Sequence, residues 1–199
     1  QPSLVLLEDG GDVLTLEWTL PRLAVEEVAA DGASWQVLSF PDAAQRGAEG
    51  PPGLPVFSRL LALPAGATAK ARIVASETVE LDGFRLLPIQ DREGEPFAYD
   101  KDAYARGGAA APAVDVGRPG VMHGLTVSPV VLSPLAYDPA TGRVTAAVRL
   151  TVEVTVTGGA GKAAARAETA AYDEFFRSRV LNYGGADKSA VTEMGSYLV

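Results

Sequence analysis

Hydrophobic and polar residues alternate along several stretches of this chain. The alternation runs through Asp12–Leu20, Ser34–Phe40, Ala69–Leu81 and Arg143–Thr157, and these stretches contain many β-branched residues. A period of two residues places successive side chains on opposite faces of an extended strand. Each stretch is therefore predicted to be a β-strand.

The stretch at Arg143–Thr157 is the longest and has two distinct faces. The apolar side chains predicted to share one face are Val144, Ala146, Val148, Leu150, Val152, Val154 and Val156. Arg143, Arg149, Thr151 and Glu153 are predicted to lie on the other face. One apolar and one polar face are typical of an antiparallel sheet that is buried on one side.

Turn residues separate these stretches. The segment Tyr137–Arg143 places Pro139 and Gly142 where a hairpin needs a fixed and a positive φ, and it is predicted to join two strands. The 21 glycines and 14 prolines are spread along the chain, which favours many short elements. Longer polar connections are predicted at Phe40–Pro55 and Gln90–Gly120.

The period changes near the C-terminal end. Apolar residues and arginines follow helical spacing between about residues 169 and 182, with acidic residues early and basic residues late. Asn182 and the glycines after it are suited to end a helix. The predicted fold is an all-β, antiparallel β-sandwich with one C-terminal α-helix.

Composition and charge exclude several functions. The net charge is −8 and the basic residues form no cluster, so nucleic-acid binding is not expected. No apolar run reaches the roughly 18 residues that a membrane span needs. The chain has no cysteine, so it has no thiolate nucleophile or thiolate metal site of its own.

The remaining candidate chemistry is weak. His123 is the only histidine, and although Ser128 and Ser133 are near it in sequence, no nucleophile-elbow motif surrounds them. An acidic group in the second long connection is predicted to be solvated, with a calcium site as the alternative; it consists of Asp91, Glu93, Glu95, Asp100 and Asp102. Neither a metal nor another cofactor is predicted. Trp18 and Trp35 lie in alternating runs, which favours burial over an exposed sugar-binding platform.

Arg106 stands out because of its neighbours. It lies in the segment YARGGAAAPA, where glycine, alanine and proline offer little for a long cationic side chain to pack against. Such a segment is suited to present the arginine to a partner that binds it through a buried carboxylate. A solvated arginine on a loop is the alternative.

Three motifs together carry a family resemblance. The segments GPPGLPVFSRLLALP (Gly50–Pro64), VSPVVLSPLAYDPATGRVTAAVRLTVEVTV (Val127–Val156) and YDEFFRSRVLNY (Tyr172–Tyr183) occur in this order. In order and spacing the chain resembles the N-terminal propeptides of gingipain-like C25 cysteine peptidases. The resemblance implies a non-catalytic prodomain that assists folding of the peptidase and inhibits it through a loop in the active-site cleft. By position, Arg106 matches the basic residue of that loop, and Arg118 and Lys101 are the fallback choices.

The resemblance also implies an organisation and a partner. Residues 1–183 would form the prodomain, and residues 184–199 would hold the junction and the start of the catalytic domain, with Lys188 as the processing site. The expected partner is the catalytic domain of the same precursor, and the prodomain is expected to be a monomer. We expect secretion, or a periplasmic or cell-surface location, after removal of a signal peptide. The alternative function is a free-standing carbohydrate-binding or adhesion module, which would need an exposed Trp18 or Trp35.

Overall fold

A computed structural model of the chain describes residues 3–90, 96–106, 111–159 and 170–183. Its strands are β1 (Leu4–Asp9), β2 (Val13–Thr19), β3 (Ala24–Ala30), β4 (Ala33–Ser39), β5 (Ala43–Gln45), β6 (Pro55–Ala62), β7 (Thr68–Leu81), β8 (Ala113–Val116), β9 (Gly120–Met122), β10 (Leu125–Ser133), β11 (Leu135–Asp138) and β12 (Arg143–Thr157). Its helices are α1 (Lys101–Ala105) and α2 (Ala170–Arg179). The four strands predicted from alternation are confirmed, with their ends within one residue of the prediction.

The strands pair antiparallel in two five-stranded sheets and one separate hairpin. In the first sheet, β12 lies at the centre between β7 on one edge and β2 and β11 on the other, and β1 pairs with β2. In the second sheet, β10 lies between β6 on one edge and β8 and β9 on the other, and β5 pairs with β6. The hairpin is formed by β3 and β4.

The two sheets face each other across one hydrophobic core. Trp18 of the first sheet is fully buried, and its ring lies 4.8 Å from that of Phe57 in the second sheet and 5.7 Å from that of Phe40. Burial of large apolar side chains from both inner faces is the main source of stability in such a sandwich. The predicted all-β sandwich with a C-terminal helix is confirmed.

The chain changes sheets at Pro134. β10 ends at Ser133 in the second sheet and β11 begins at Leu135 in the first, so the stretch that leads into the predicted hairpin is two strands. The hairpin between β11 and β12 is confirmed. Gly142 has φ +68°, and a Cβ there would lie 2.8 Å from the backbone oxygen of Phe84, so the turn needs glycine.

The apolar face of β12 differs from the prediction at one position. Val148 has no partner in β7 because the register shifts between Ala147 and Arg149. A β-bulge of this kind leaves one residue unpaired and bends the strand. Ala147 is consequently buried and Val148 only partly buried, whereas the other predicted inward residues of β12 are buried.

The two long connections contain short elements that the pattern did not predict. β5 lies within the first connection, and α1, β8 and the start of β9 lie within the second. The C-terminal helix was predicted to run to Asn182 but ends at Arg179. It packs on the outer face of the second sheet, where Phe176 and Val180 form a small second cluster with Ala62 and its neighbours.

Candidate functional site

Arg106 lies at the C-terminal end of α1 and is exposed. Its backbone N–H and its Nε both donate to the backbone oxygen of Asp102, at 3.0 and 3.1 Å. Among the residues that the structure describes, no carboxylate forms an ion pair with Arg106. Its guanidinium group is thus held near the end of the helix without a neutralising partner in that part of the chain.

The start of α1 is fixed by a helix cap. Oδ1 of Asp100 accepts hydrogen bonds from the backbone N–H groups of Asp102 and Ala103, at 3.0 and 2.9 Å. Capping of this kind satisfies donors that the first turn would leave unpaired. Asp100, one of the acidic residues considered for calcium, therefore has a structural role in this helix.

The backbone of Gly50 is hydrogen-bonded to the capping residue Asp100. The backbone N–H of Asp100 donates to Gly50 O at 3.1 Å, and the N–H of Gly50 donates to Ile89 O at 2.9 Å. Gly50 has φ +102°, and a Cβ there would lie 3.2 Å from both the N and the Cβ of Asp100. The first glycine of the segment Gly50–Pro64 therefore lets the backbone approach the helix that carries Arg106.

One face of α1 packs against a group of aromatic rings, which we call the Trp35 cluster. The cluster consists of Trp35, Phe97, Tyr99 and Tyr104. Trp35 is 3% exposed, and its ring centroid lies 5.7 to 6.0 Å from those of the other three. The guanidinium carbon of Arg85 lies 4.1 Å from the Trp35 ring centroid, a cation–π contact on the same cluster.

Tyr104 connects α1 to the sandwich. Its hydroxyl donates a hydrogen bond of 2.6 Å to the backbone oxygen of Leu86, and its ring lies 4.6 Å from that of Tyr99. Burial raises the pKa of Tyr104 above its usual range, so the hydroxyl stays protonated to a higher pH than that of a solvated tyrosine. Arg106 therefore follows a helix that is fixed by a cap, an aromatic contact and a partly buried hydrogen bond.

Lys101 and Arg118, the other two candidates for the inhibitory residue, lie in different parts of the fold. Lys101 is the first residue of α1 and is exposed, so the structure brings it onto the same helix as Arg106. Arg118 is exposed in the connection between β8 and β9, where the neighbouring Gly117 N–H donates to Pro129 O at 2.8 Å. The inhibitory role of all three residues stays a prediction.

The segment that precedes the predicted junction is also fixed. Beyond α2, the N–H of Leu181 donates to Leu60 O at 2.9 Å, and the side-chain amide of Asn182 forms two hydrogen bonds with the backbone of Ala62. Asn182 was predicted to end the helix; in the structure it attaches the chain to β6. Lys188 and the rest of the predicted junction lie outside the described residues.

The other candidate residues have structural surroundings. His123 lies in an exposed turn with φ +47°, and its ring lies 3.9 Å from that of Tyr172. The hydroxyl of buried Ser128 donates to Gly117 O at 3.1 Å. Ser133 is the last residue of β10 and is partly buried. These contacts give His123 and Ser128 no catalytic geometry.

The acidic group is described only in part. Asp100 caps α1 and Asp102 is exposed, whereas Asp91, Glu93 and Glu95 lie outside the described residues. Within the described ranges, no three acidic or histidine side chains come together in a way that could hold a metal ion. No described helix is long and apolar enough to cross a membrane.

Both tryptophans are buried, as predicted. Trp18 is 0% and Trp35 3% exposed, and the indole N–H of Trp35 donates to Ala30 O at 3.0 Å. An exposed tryptophan platform, which the binding-module alternative needs, is therefore contradicted. Sequence reasoning missed Tyr104, Gly50 and the capping role of Asp100. An aspartate followed by KDAYAR, in which the lysine, the alanines and the arginine favour a helix, is the signal that could have found the cap.

The fold is similar to two solved structures. One is the complex of the pro- and mature domains of RgpB from Porphyromonas gingivalis, with a TM-score of 0.76 and 21% identity over 93% of this chain and 98% of that chain. The other concerns the zymogenic latency of gingipain K from the same species, with a TM-score of 0.70 and 23% identity over 77% of this chain and 92% of that chain. At these identities the likeness establishes the fold.

Sequence comparison identifies relatives and a family. Lys-gingipain HG66 from P. gingivalis is 27% identical over 170 residues, which cover 79% of this chain and 10% of the relative. Gingipain R1 from the same species is 22% identical over 192 residues, which cover 92% of this chain and 19% of the relative. The chain thus spans a small part of the length of these relatives. The family model Propeptide_C25 matches residues 1–191, so the chain belongs to this propeptide family and is not a catalytic domain.

Proposed function

We propose that this chain keeps a secreted C25 cysteine peptidase inactive, assists its folding and is then removed by cleavage. Its partner is the catalytic domain of the same precursor, and the segment that carries Arg106 occupies the active-site cleft. One observation carries the proposal. The chain is a C25 propeptide, and its exposed Arg106 follows a short helix that Tyr104 fixes to the sandwich.

The similar proteins support the choice of partner. RgpB has been solved as a complex of its pro- and mature domains, and the gingipain K structure concerns zymogenic latency. We infer by analogy that this chain has the same kind of partner and the same effect on it. The choice of Arg106 as the inhibitory residue is part of the proposal, and its exposure at the end of a fixed helix supports that choice.

The contacts of α1 suit an inhibitory anchor. A guanidinium group presents a planar set of donors that can pair in a bidentate manner with a carboxylate in a specificity pocket. Holding the helix in place before binding reduces the conformational entropy lost when the complex forms. Broad contact by the sandwich would supply the remaining affinity, with Arg106 as the central anchor.

The first experiment is inhibition of the separately produced catalytic domain by this chain. Wild type is compared with Arg106→Ala on short arginine and lysine substrates. We expect tight inhibition by wild type and a loss of more than about tenfold in the variant, which corresponds to more than about 1.4 kcal/mol. The substrate that the peptidase cleaves shows which basic residue its pocket prefers.

Arg118→Ala and Lys101→Ala are the control variants, because each removes one exposed cation: Arg118 between β8 and β9, and Lys101 at the other end of the helix that precedes Arg106. Each is expected to retain inhibition close to wild type. If one of them loses inhibition and Arg106→Ala does not, the anchor is that residue. If wild type does not inhibit, the inhibitory function itself is wrong.

Two further measurements test the rest of the proposal. Refolding of denatured catalytic domain is expected to give a higher yield of active peptidase with this chain present than without it. N-terminal sequencing of the mature peptidase is expected to begin at Ser189, because cleavage is proposed after Lys188. Acidic groups such as those around Asp100 are also proposed to complement a basic patch on the catalytic domain, which the salt dependence of the association rate would test.

A further inference from the structure

The segment after α2 lies along the edge of the second sheet and pairs with it at one isolated bridge. β5 covers the edge of β6 at Pro55–Phe57, and the following part of that edge is paired with residues beyond α2. Val180 forms a parallel bridge with Leu60, and the Leu181 N–H donates to Leu60 O at 2.9 Å. An exposed strand edge has unpaired backbone groups, and this segment satisfies them.

Asn182 completes the attachment with its side chain. Its Oδ1 accepts from the Ala62 N–H at 2.8 Å, and its Nδ2 donates to Ala62 O at 3.0 Å. A carboxamide carries both a donor and an acceptor, so it can form the paired bonds that a neighbouring strand would form. We call these two bonds the Asn182 clamp.

Along the sequence, Asn182 lies between two arginines and one lysine. Arg177 and Arg179 precede it within α2, and Lys188 follows it. Both arginines are exposed, and an ion pair of 2.7 Å joins Arg177 to Asp173 within the helix. A peptidase that cuts after basic residues could use all three positions if their backbones were equally accessible.

Arg177 and Arg179 both lie within α2, and the backbone just after Arg179 is enclosed by the fold. The peptide bond after Arg179 leads into Val180, which is buried, and the Val180 N–H donates to Phe176 O at 2.8 Å. Cleavage there requires α2 to detach from the sheet, so its rate follows the population of the opened form. The clamp lowers that population because both of its bonds must break before α2 can leave the sheet.

We propose that Asn182 is a positioning residue that selects where the precursor is cut. It keeps the bonds after Arg177 and Arg179 closed to the peptidase, so that hydrolysis falls beyond Tyr183. In the proposed cut, water adds a hydroxyl to the carbonyl carbon of Lys188 and a proton to the nitrogen of Ser189 as the bond between them breaks. The role in maturation rests on the proposed function, whereas the clamp can be tested with an unrelated peptidase.

The test is timed digestion of the 199-residue chain with trypsin, with product masses measured by mass spectrometry. In wild type we expect cleavage after Lys188 well before cleavage after Arg177 or Arg179. In Asn182→Ala, the initial rate of cleavage after these two arginines should rise at least about tenfold, which corresponds to about 1.4 kcal/mol of lost protection. Cleavage after Lys188 should keep its rate.

Two controls separate the clamp from general loss of structure. Glu174→Ala shortens an exposed side chain of the same helix and should digest like wild type. Cleavage after Arg149, in the middle of β12, reports global unfolding and should not change in Asn182→Ala. The proposal is overturned if Asn182→Ala leaves the rates at Arg177 and Arg179 unchanged, or if the rate at Arg149 rises in parallel. Loss of inhibition in the first experiment would leave this result intact.

Discussion

Two regions of the molecule hold basic residues of interest, and they are supported in different ways. Near Arg106, a five-residue helix is fixed by aromatic rings and by the hydroxyl of Tyr104. Near the junction, a ten-residue helix and the residues after it are fixed by a small apolar cluster and by pairing along the edge of β6. In the proposed roles, the first support presents one side chain to a partner, whereas the second protects the backbone up to Tyr183 from cleavage.

The difference follows from what each region is proposed to do. An anchor that enters a partner's pocket benefits from a fixed position, so its support lies close behind the side chain. A segment that must be cut at one place needs a fixed part that ends at a defined residue. Aromatic packing suits the first task, and backbone pairing with a side-chain clamp suits the second.

The largest effect should come from removing the central ring of each support. Trp35→Ala should lower the free energy of unfolding by about 3–5 kcal/mol, because it empties a buried site in contact with three other rings. Phe176→Ala should lower the free energy of global unfolding by less than Trp35→Ala, because α2 lies on the outside of the second sheet and can detach locally. Urea unfolding followed by far-UV circular dichroism measures both.

The same pair of variants separates the two regions functionally. Trp35→Ala should weaken inhibition, and Phe176→Ala should retain inhibition but open α2 to trypsin. If the two variants lost the same free energy of unfolding and the same degree of inhibition, the two regions would unfold and act as one unit. The comparison between them would then fail.

The sequence predicted those parts of the fold in which local pattern and tertiary structure agree. Alternation gave the bounds of β2, β4, β7 and β12. β2 and most of β12 have one buried face, whereas β7 has no buried residue and its partly buried residues alternate only in its first half. Pattern could not show that Val148 bulges, since the bulge is set by register with β7. It could not show that the chain changes sheets at Pro134 either, because apolar residues continue on both sides of the proline.

The candidate site was predicted to a smaller extent. Arg106 was singled out correctly as exposed, because small neighbours leave a long cation nothing to pack against. Its support was missed because a helix of one turn is too short for a period, and because Tyr104 meets Leu86 and Trp35 from other parts of the chain. The clamp was missed because the bonds of Asn182 reach Ala62, 120 positions away in sequence.

A smaller effect is expected from the hydroxyl that connects α1 to the sandwich. Tyr104→Phe removes the donor to Leu86 O and should lower the free energy of unfolding at neutral pH by about 0.5–1.5 kcal/mol. Tyr99→Phe is the matched control, since Tyr99 belongs to the same cluster and is 40% exposed, and it should change stability less. Chemical denaturation of the three proteins gives the comparison.

The same variant carries a pH prediction. Burial holds the pKa of Tyr104 above the ordinary value of 10.0, so above about pH 10 the folded state binds more protons than the unfolded state. The contribution of Tyr104 is therefore complete below pH 10 and is lost as pH rises further. The stability difference between wild type and Tyr104→Phe should narrow above pH 10; a constant difference would contradict the buried hydroxyl.

The smallest effect should come from the cap of α1. Asp100→Ala removes the acceptor for two backbone N–H groups and should lower the free energy of unfolding by about 0.5–1 kcal/mol. This is at the low end for helix caps, because α1 has only five residues. Asp100→Asn keeps a capping oxygen and should remain close to wild type. Inhibition by Asp100→Ala should weaken by less than in Arg106→Ala, because the arginine is retained and only its order before binding is lost. If Asp100→Ala and Arg106→Ala inhibit equally poorly, the cap, and with it the fixed helix, is as important to the anchor as the charge itself.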